Sequence, residues 1–193
     1  MKGRLIILSA PSGAGKSTII NHLLKLDMGL EFSVSATTRK KRPGEQHGRE
    51  YYFLSPEDFK KHIRNHEFLE YEEVYHNIFY GTLRQEVDRV LNAGKHVIFD
   101  IDIAGGLNIK KEYGDRALAL FIEPPSVEEL ERRLTARAAD TPEEIRERVK
   151  KAKLEMSYAC KFDKIIVNDD LQSALDEAEK NVSAFLTGKH RES

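Results

Sequence analysis

The 193-residue chain carries 31 basic and 32 acidic residues, a formal net charge of −1, so bulk electrostatics does not favour nonspecific binding to nucleic acid or an anionic membrane. An apolar share of 40% is enough for a core, and the length fits one domain, or a core with one or two inserted subdomains. A single cysteine, Cys160, excludes an intramolecular disulfide and a cysteine-based zinc site. With no signal peptide and no apolar run near the roughly 18 residues of a membrane span, the sequence reads as cytoplasmic.

Taken in chain order, RLIILS (4–9) is a short apolar run that predicts a buried strand. The Gly-rich turn APSGAGK follows, and STIINHLLKL has the spacing of an amphipathic helix running from Lys16 to about Met28, with Gly29 closing it. Strand, Gly-rich turn and helix starting at Lys-Ser is the context of a phosphate-binding loop. Gly13 and Gly15 let the backbone bring its N–H groups close to an anion, and the helix N-terminus adds partial positive charge. Lys16 would reach the β- and γ-phosphates of ATP or GTP, and Ser17 would offer its hydroxyl to Mg²⁺. Ala10 stands where the usual pattern has its first Gly, which is tolerable provided Ala10 keeps a negative φ.

From Phe32 the stretch FSVSATTRKKRPGEQHGREYYFL joins short β-prone pieces through a basic loop. Ser55 and Pro56 open a short helix over 56–65. LEYEEV (69–74) alternates as a strand. A helix then follows in which Thr82 and Gln85 form a capping box, Leu83, Val87 and Val90 line one face and Gly94 ends it. Residues 33–94 read as a small mixed insert. HVIFDI (96–101), ALALFI (117–122) and KIIV (164–167) are further buried-strand candidates, and apolar runs separated by helical stretches imply a parallel sheet covered on both faces. Ser126 with Glu129, and Thr141 with Pro142 and Glu144, open two helices between the last two strands. A C-terminal helix follows Asn168-Asp169.

Asp100 and Asp102 close an apolar strand, where ligands of such sheets bind. Alternation puts both carboxylates on one face, and like charges so close need a cation or donors between them. A helix cap or a buried ion pair is the plainer alternative, but the paired like charges favour a functional role. Arg39 and Arg42 could fork onto a phosphate, with Tyr51 donating to the same oxygens; a solvated basic loop and a core tyrosine are the plainer readings. Arg133, Arg137 and Arg148 lie on the helical pair, as a lid that neutralises a transferring phosphoryl group would require. Glu129 and Glu144, each four residues before an arginine, offer ordinary surface ion pairs instead.

Together, APSGAGKST, FSVSATTRKKRPGE with GREYYF, FLEY, FYGT, DID, the lid arginines and VNDD resemble guanylate kinase, a P-loop nucleoside monophosphate kinase, in that family's order from about Arg4 to Leu186. The resemblance implies an α/β protein whose doubly wound parallel-sheet P-loop core (1–32, 95–125 and 155–193) carries a mixed β GMP-binding insert (33–94) and a helical lid (126–154). It implies MgATP-dependent phosphorylation of GMP, and of dGMP, to the diphosphate by direct in-line transfer. ATP would lie along Ala10, Pro11, Ser12, Gly13, Ala14, Gly15, Lys16, Ser17 and Thr18, with Asn168 near the adenine. GMP would be held at its phosphate by Arg39, Arg42, Tyr51 and Tyr80, and read at its base by Ser35, Glu70 and Thr82. Asp100 and Asp102 would orient GMP and a metal-bound water, Mg²⁺ resting on Ser17 and, through water, on Asp100. Lys16, Arg39, Asp100, Arg133, Arg137 and Arg148 would carry catalysis.

The base-reading trio has a chemical rationale. Guanine's N1–H and exocyclic amine are two donors that one carboxylate accepts together, whereas adenine has no N1 donor and leaves the carboxylate unpaired. Two departures from the family pattern stand out: Ala104-Gly105 replaces a glutamine after D-I-D-x, and Ala136 and Ala138 replace lid glycines, stiffening that turn. The expected partners are the two nucleotides, with no nucleic acid or membrane, in a monomer or weak homo-oligomer. Another small-metabolite kinase on the same core, or a non-catalytic module of this shape that binds peptides, would share parts of the pattern.

Overall fold

β1 (Leu5–Ser9) is buried at every position, as an all-apolar strand in the middle of a sheet must be. In the computed structural model, which describes residues 3–136 and 141–188, it lies third in a five-stranded sheet of order β2-β7-β1-β8-β9. Its companions are β2 (Leu30–Phe32), β7 (His96–Asp100), β8 (Ala117–Glu123) and β9 (Lys164–Val167). β1 pairs in parallel with β8, and β8 with β9. Val97 N–H donates to the Arg4 carbonyl and Ile101 N–H to that of Leu8; the equal advance along both chains is a parallel register. The core is therefore a parallel sheet flanked by helices. β9 is its edge, and Ile165 and Val167 are exposed there, so only part of KIIV is buried.

The chain divides into two compact units, one comprising the residues up to Arg4 with Glu31–Val97, the other Leu5–Leu30 with the residues from Ile98 onward. In the second unit, α1 runs over Lys16–Leu23. It is shorter than the expected 16–28, because Lys25 and Leu26 donate to carbonyls only three residues back and tighten the chain out of the helix. Among the described residues, α4 (Ile103–Tyr113) is the helix that sequence periodicity did not reveal. Gly105 and Gly106 dilute its helical signal. Gly106 is needed for fit: a Cβ there would stand 2.7 Å from Ser9 Oγ, so α4 can lie directly on β1. The pair α5 (Val127–Ala136) and α6 (Pro142–Met156) has a small core of its own in Leu130, Leu134, Ile145 and Ala152. Both caps form as expected, Ser126 Oγ accepting from Glu129 N–H and Thr141 making a full capping box with Glu144. α7 (Leu171–Thr187) is capped by Asp170.

The first unit holds a four-stranded sheet of order β4-β3-β6-β5, with β3 at Ala36–Thr37, β4 at Tyr52–Phe53, β5 at Phe68–Tyr75 and β6 at Ile78–Leu83. α2 (Pro56–Arg64), capped by Ser55, supplies Phe59, which stacks between Phe68 and Phe79 beside Ala36. α3 (Arg84–Asn92) begins two residues after the expected cap. Thr82 is not an N-cap: it lies inside β6, and the sheet ladder outcompetes the local capping preference there. Leu83 stands at the cap position without a side-chain bond, and Arg84 N–H is satisfied by the Glu67 carbonyl.

Candidate active site

The phosphate loop is built by its glycines and by what surrounds it. Gly15 has φ +96°, a conformation open to glycine and costly for side chains. It is also the cap residue of α1, with no side-chain hydrogen bond and no acidic residue in the first turn. No side chain thus competes with an anion for the first N–H groups of the helix. Ala10 is not among the positive-φ residues, so the first-glycine position needs no glycine in this chain. Lys16 Nζ lies 2.6 Å from Asp100 Oδ1 and donates to the Ile101 carbonyl at 3.0 Å. Ser17 Oγ is 3.5 Å from Asp100 Oδ2. Lysine, hydroxyl and strand-end carboxylate are therefore gathered at one point.

The two aspartates part ways. Asp100 is an exposed strand end paired with Lys16, whereas Asp102 caps α4, its Oδ1 accepting from Gly105 N–H at 2.9 Å. The two carboxylates are thus not a pair around one cation: Lys16 meets Asp100 and the Gly105 N–H meets Asp102. Of the lid arginines, Arg133 is held by Glu129 at 2.8 Å and also donates to the Asn168 carbonyl at 3.0 Å. Arg132 and Arg133 together hold the Glu129 carboxyl down to about 2. Arg148, one helix on, reaches the loop itself and donates to Ser12 Oγ at 2.9 Å. The Glu144 carboxylate accepts from Thr141 N–H in the capping box. Arg137 and Ala138 lie outside the described residues. Asn168 is buried and its side-chain nitrogen donates to the Ala14 carbonyl at 2.8 Å.

In the first unit, register gathers the expected acceptor residues into one row. Ala36 pairs with Tyr52 on β4 and with Gly81 on β6. Continuing both registers by one residue sets Ser35 between Tyr51 and Thr82, and Tyr52 N–H donates to the Ser35 carbonyl. Thr82 pairs across β6 with Glu70 on β5. Tyr51, Ser35, Thr82 and Glu70 thus follow one another across four chain segments, and directly opposed residues share a face. Tyr80, two residues from Thr82, shares that face, and its ring meets Tyr51 edge-on at 5.9 Å. A β-bulge makes this alignment: Phe68 opposes Leu83 but Glu70, not Leu69, opposes Thr82. One extra residue in β5 re-aims the carboxylate, as bulges near sites do.

The basic loop is ordered by a residue that sequence reasoning passed over. Glu45 takes Arg39 in a bidentate pair at 2.8 and 3.0 Å and accepts Arg42 N–H at 2.7 Å. The Arg39 guanidinium lies by the Tyr51 and Phe53 rings, and Glu45 drives its pKa further up. Arg39 in turn, with the Arg42 N–H, holds the Glu45 carboxyl down at about 2. A loop contact six residues apart leaves no periodic trace in the sequence. Among the described residues, no group of three or more His, Cys, Asp or Glu side chains could hold a metal by itself.

A family model described as guanylate kinase matches residues 2–185. The chain belongs to the guanylate kinase family. It is 57% identical over 185 residues to a guanylate kinase of Bacteroides fragilis, covering 96% of this chain and 91% of that protein. It is 54% identical over 184 residues to one from Porphyromonas gingivalis, covering 95% and 98%. A crystal structure of guanylate kinase from Anaplasma phagocytophilum superposes with a TM-score of 0.72 at 31% identity, covering 99% of this chain and 88% of that one. The family membership makes the chain a nucleotide-binding phosphotransferase, consistent with the loop and the lysine–carboxylate point just described.

Proposed function

We propose that this guanylate kinase family member transfers the γ-phosphoryl group of MgATP to GMP, giving ADP and GDP, by direct in-line displacement without a covalent enzyme intermediate. The observation that carries the acceptor is the bulge-set pairing of Glu70 with Thr82, in a row with Ser35 and Tyr51. Glu70 would accept guanine N1–H and the exocyclic amine, and the Ser35 and Thr82 hydroxyls would supply donors to O6. Arg39, Arg42, Tyr51 and Tyr80 would take the GMP phosphate. The same phosphate and base contacts would serve dGMP, which differs from GMP only at the ribose 2′-hydroxyl.

The donor side lies on Ala10 to Thr18, whose N–H groups and Lys16 bind the triphosphate, with Arg133, Arg137 and Arg148 meeting its charge as it shifts in the transition state. The acceptor oxygen is already ionised, so these residues position and neutralise rather than abstract a proton. The donor set at Ser17 and Asp100, a hydroxyl and a carboxylate 3.5 Å apart, suits a hard cation that keeps most of its waters. Magnesium bound there with ATP would neutralise charge on the β- and γ-phosphates. Lys16 then exchanges its hold on Asp100 for the phosphates. Asp102, committed to its helix cap through one oxygen, would offer the other toward GMP.

We assign residues 33–94 to acceptor binding and 126–154 to a lid whose closure excludes water from the transfer. The remaining segments form the P-loop core. Among the described residues no helix is long and apolar enough to cross a membrane. We assign the protein to the cytoplasm, where its nucleotides are, acting as a monomer or weak homo-oligomer. A coupled assay of ADP release with ATP and each of GMP, dGMP, AMP, CMP and UMP tests the reading. Turnover of GMP and dGMP far above the others is expected; AMP or UMP outpacing GMP would overturn the guanine assignment.

A further inference from the structure

We infer that Asn168 is a positioning residue for the triphosphate-binding loop, which it clamps from inside the fold rather than contacting the donor's base. The inference rests on the loop being the triphosphate site, as argued above. Asn168 follows the last residue of β9 and is only 5% exposed. Three of its polar groups are engaged, each with a different element. The side-chain nitrogen donates to the Ala14 carbonyl at 2.8 Å, inside the loop. Its backbone N–H donates to the Glu123 carbonyl at the end of β8, also at 2.8 Å. Its carbonyl accepts from Arg133 Nη2 on α5 at 3.0 Å. One residue thus ties loop, sheet and lid helix together.

The contact with the loop is close as well as polar. A Cβ on Gly15 would stand 2.2 Å from Asn168 Nδ2, so the amide fills the space that the missing side chain leaves. Ala14 is fully buried, and its carbonyl has to find a donor within the protein or the peptide must turn. Turning the Ala14–Gly15 peptide would re-aim the Gly15 N–H, which shares that peptide plane. The donor directions of a phosphate loop are what hold the anion. Asn168 therefore fixes the loop in its anion-binding shape. Through its carbonyl it also holds Arg133, alongside Glu129, so that loop and lid arginine share one anchor point.

Asn168→Ser, whose shorter hydroxyl cannot span the same gap, removes the donor without adding charge beside the phosphates, and calorimetry with ATP, GTP, inorganic tripolyphosphate and GMP reads the result. All three triphosphates should weaken together by about tenfold, the scale of one lost buried hydrogen bond, with GMP affinity unchanged. Retained tripolyphosphate affinity with weakened ATP would make Asn168 a base contact and overturn the proposal. Parallel loss of GMP affinity, showing general damage, or no loss at all would overturn it too. Should Asn168→Ser not fold, Asn168→Ala, equally uncharged and without a donor, carries the same expectations. The binding arms do not depend on turnover, so a wild-type protein that binds tripolyphosphate but does not phosphorylate GMP would defeat the functional reading and leave this one standing.

Discussion

Arg39 and Glu45 hold each other through two parallel hydrogen bonds, and Glu45 accepts the Arg42 backbone N–H in addition. A carboxylate thus occupies the fork edge of an arginine proposed to bind phosphate. Two effects oppose: Glu45 competes with the substrate anion, and it holds the guanidinium in place beside the Tyr51 ring. Ordering should win, because an arginine has five N–H donors and one carboxylate takes only part of them. Glu45→Ala is expected to raise the KM for GMP by about tenfold and leave that for ATP within a factor of two. A lower KM for GMP would show that competition dominates.

The same pair makes a pH statement. The Glu45 carboxyl is lowered to about 2, first by its hydrogen bonds from Arg39 and then by the Arg42 N–H. A depressed folded-state pKa stabilises the fold above the ordinary glutamate range, and that contribution is lost as pH falls through about 2. Carboxyl ¹³C chemical shifts recorded from pH 6 to 2 should show Glu45 still ionised where exposed glutamates are half protonated. Titration of Glu45 alongside them would remove the pair from solution.

Glu70 is placed by a bulge, and its pairing with Thr82 makes it the sharpest test of acceptor reading. Glu70→Gln preserves size but turns one acceptor into a donor that faces the guanine donors. The KM for GMP should rise on the order of 10²-fold, within the range reached when a site loses a designed hydrogen bond, while the KM for ATP stays put. An unchanged KM for GMP would remove Glu70 from the base-reading role.

How much of this was legible in the sequence depended on where the information lay. The strands 5–9, 96–100 and 117–123 could be read because buried parallel strands are continuous apolar runs, and 164–167 gave the same apolar signal although it is a mostly exposed edge. The caps at Ser55, Ser126 and Thr141 could be read because capping is local chemistry. Thr82 misled, since a good capping pattern lay inside a strand whose partners are distant in sequence. α4 went unseen because Gly106 serves packing against Ser9 rather than helix formation. Glu45 and the Leu69 bulge carried no periodic signal, being set by loop closure and strand register. Arg148 had an ion-pair partner available in sequence, but its reach to Ser12 required the tertiary fold.

Lys16 and Asp100 meet at 2.6 Å, and both belong to the proposed donor site. Lys16→Met keeps the aliphatic stem and removes the charge aimed at the transferring phosphate. Turnover should fall on the order of 10²-fold or more, the scale of losing one electrostatic stabiliser, with the circular dichroism spectrum unchanged. Turnover within tenfold of wild type would show that Lys16 serves the Asp100 pair rather than the chemistry.

Glu86 is a nearly fully buried carboxylate in the first unit, 4% exposed, and its partners show what it holds. The Tyr52 hydroxyl donates to it at 2.9 Å, and Arg89 donates through Nε and Nη2, both at 2.9 Å. Arg89 and Lys95 share Glu31 on β2, so the network ties α3 to both β4 and β2. Burial, and next the Glu86 hydrogen bond, push the Tyr52 hydroxyl pKa up, so Tyr52 stays a donor across the working range. Truncating Glu86 leaves the Tyr52 hydroxyl without its acceptor and Arg89 with Glu31 alone, and breaking a buried pair costs about 3 kcal/mol or more. Arg89 is half exposed and can turn to water, which sets the expectation at the low end of that range. Tyr52→Phe removes one neutral donor and leaves Glu86 with Arg89, so it should cost only about 1 kcal/mol. Urea unfolding of the two single variants and the double variant measures both terms and their coupling. Equal costs for Tyr52→Phe and Glu86→Ala would mean that the hydroxyl, not the ion pair, anchors α3 to the sheet carrying Ser35 and Tyr51.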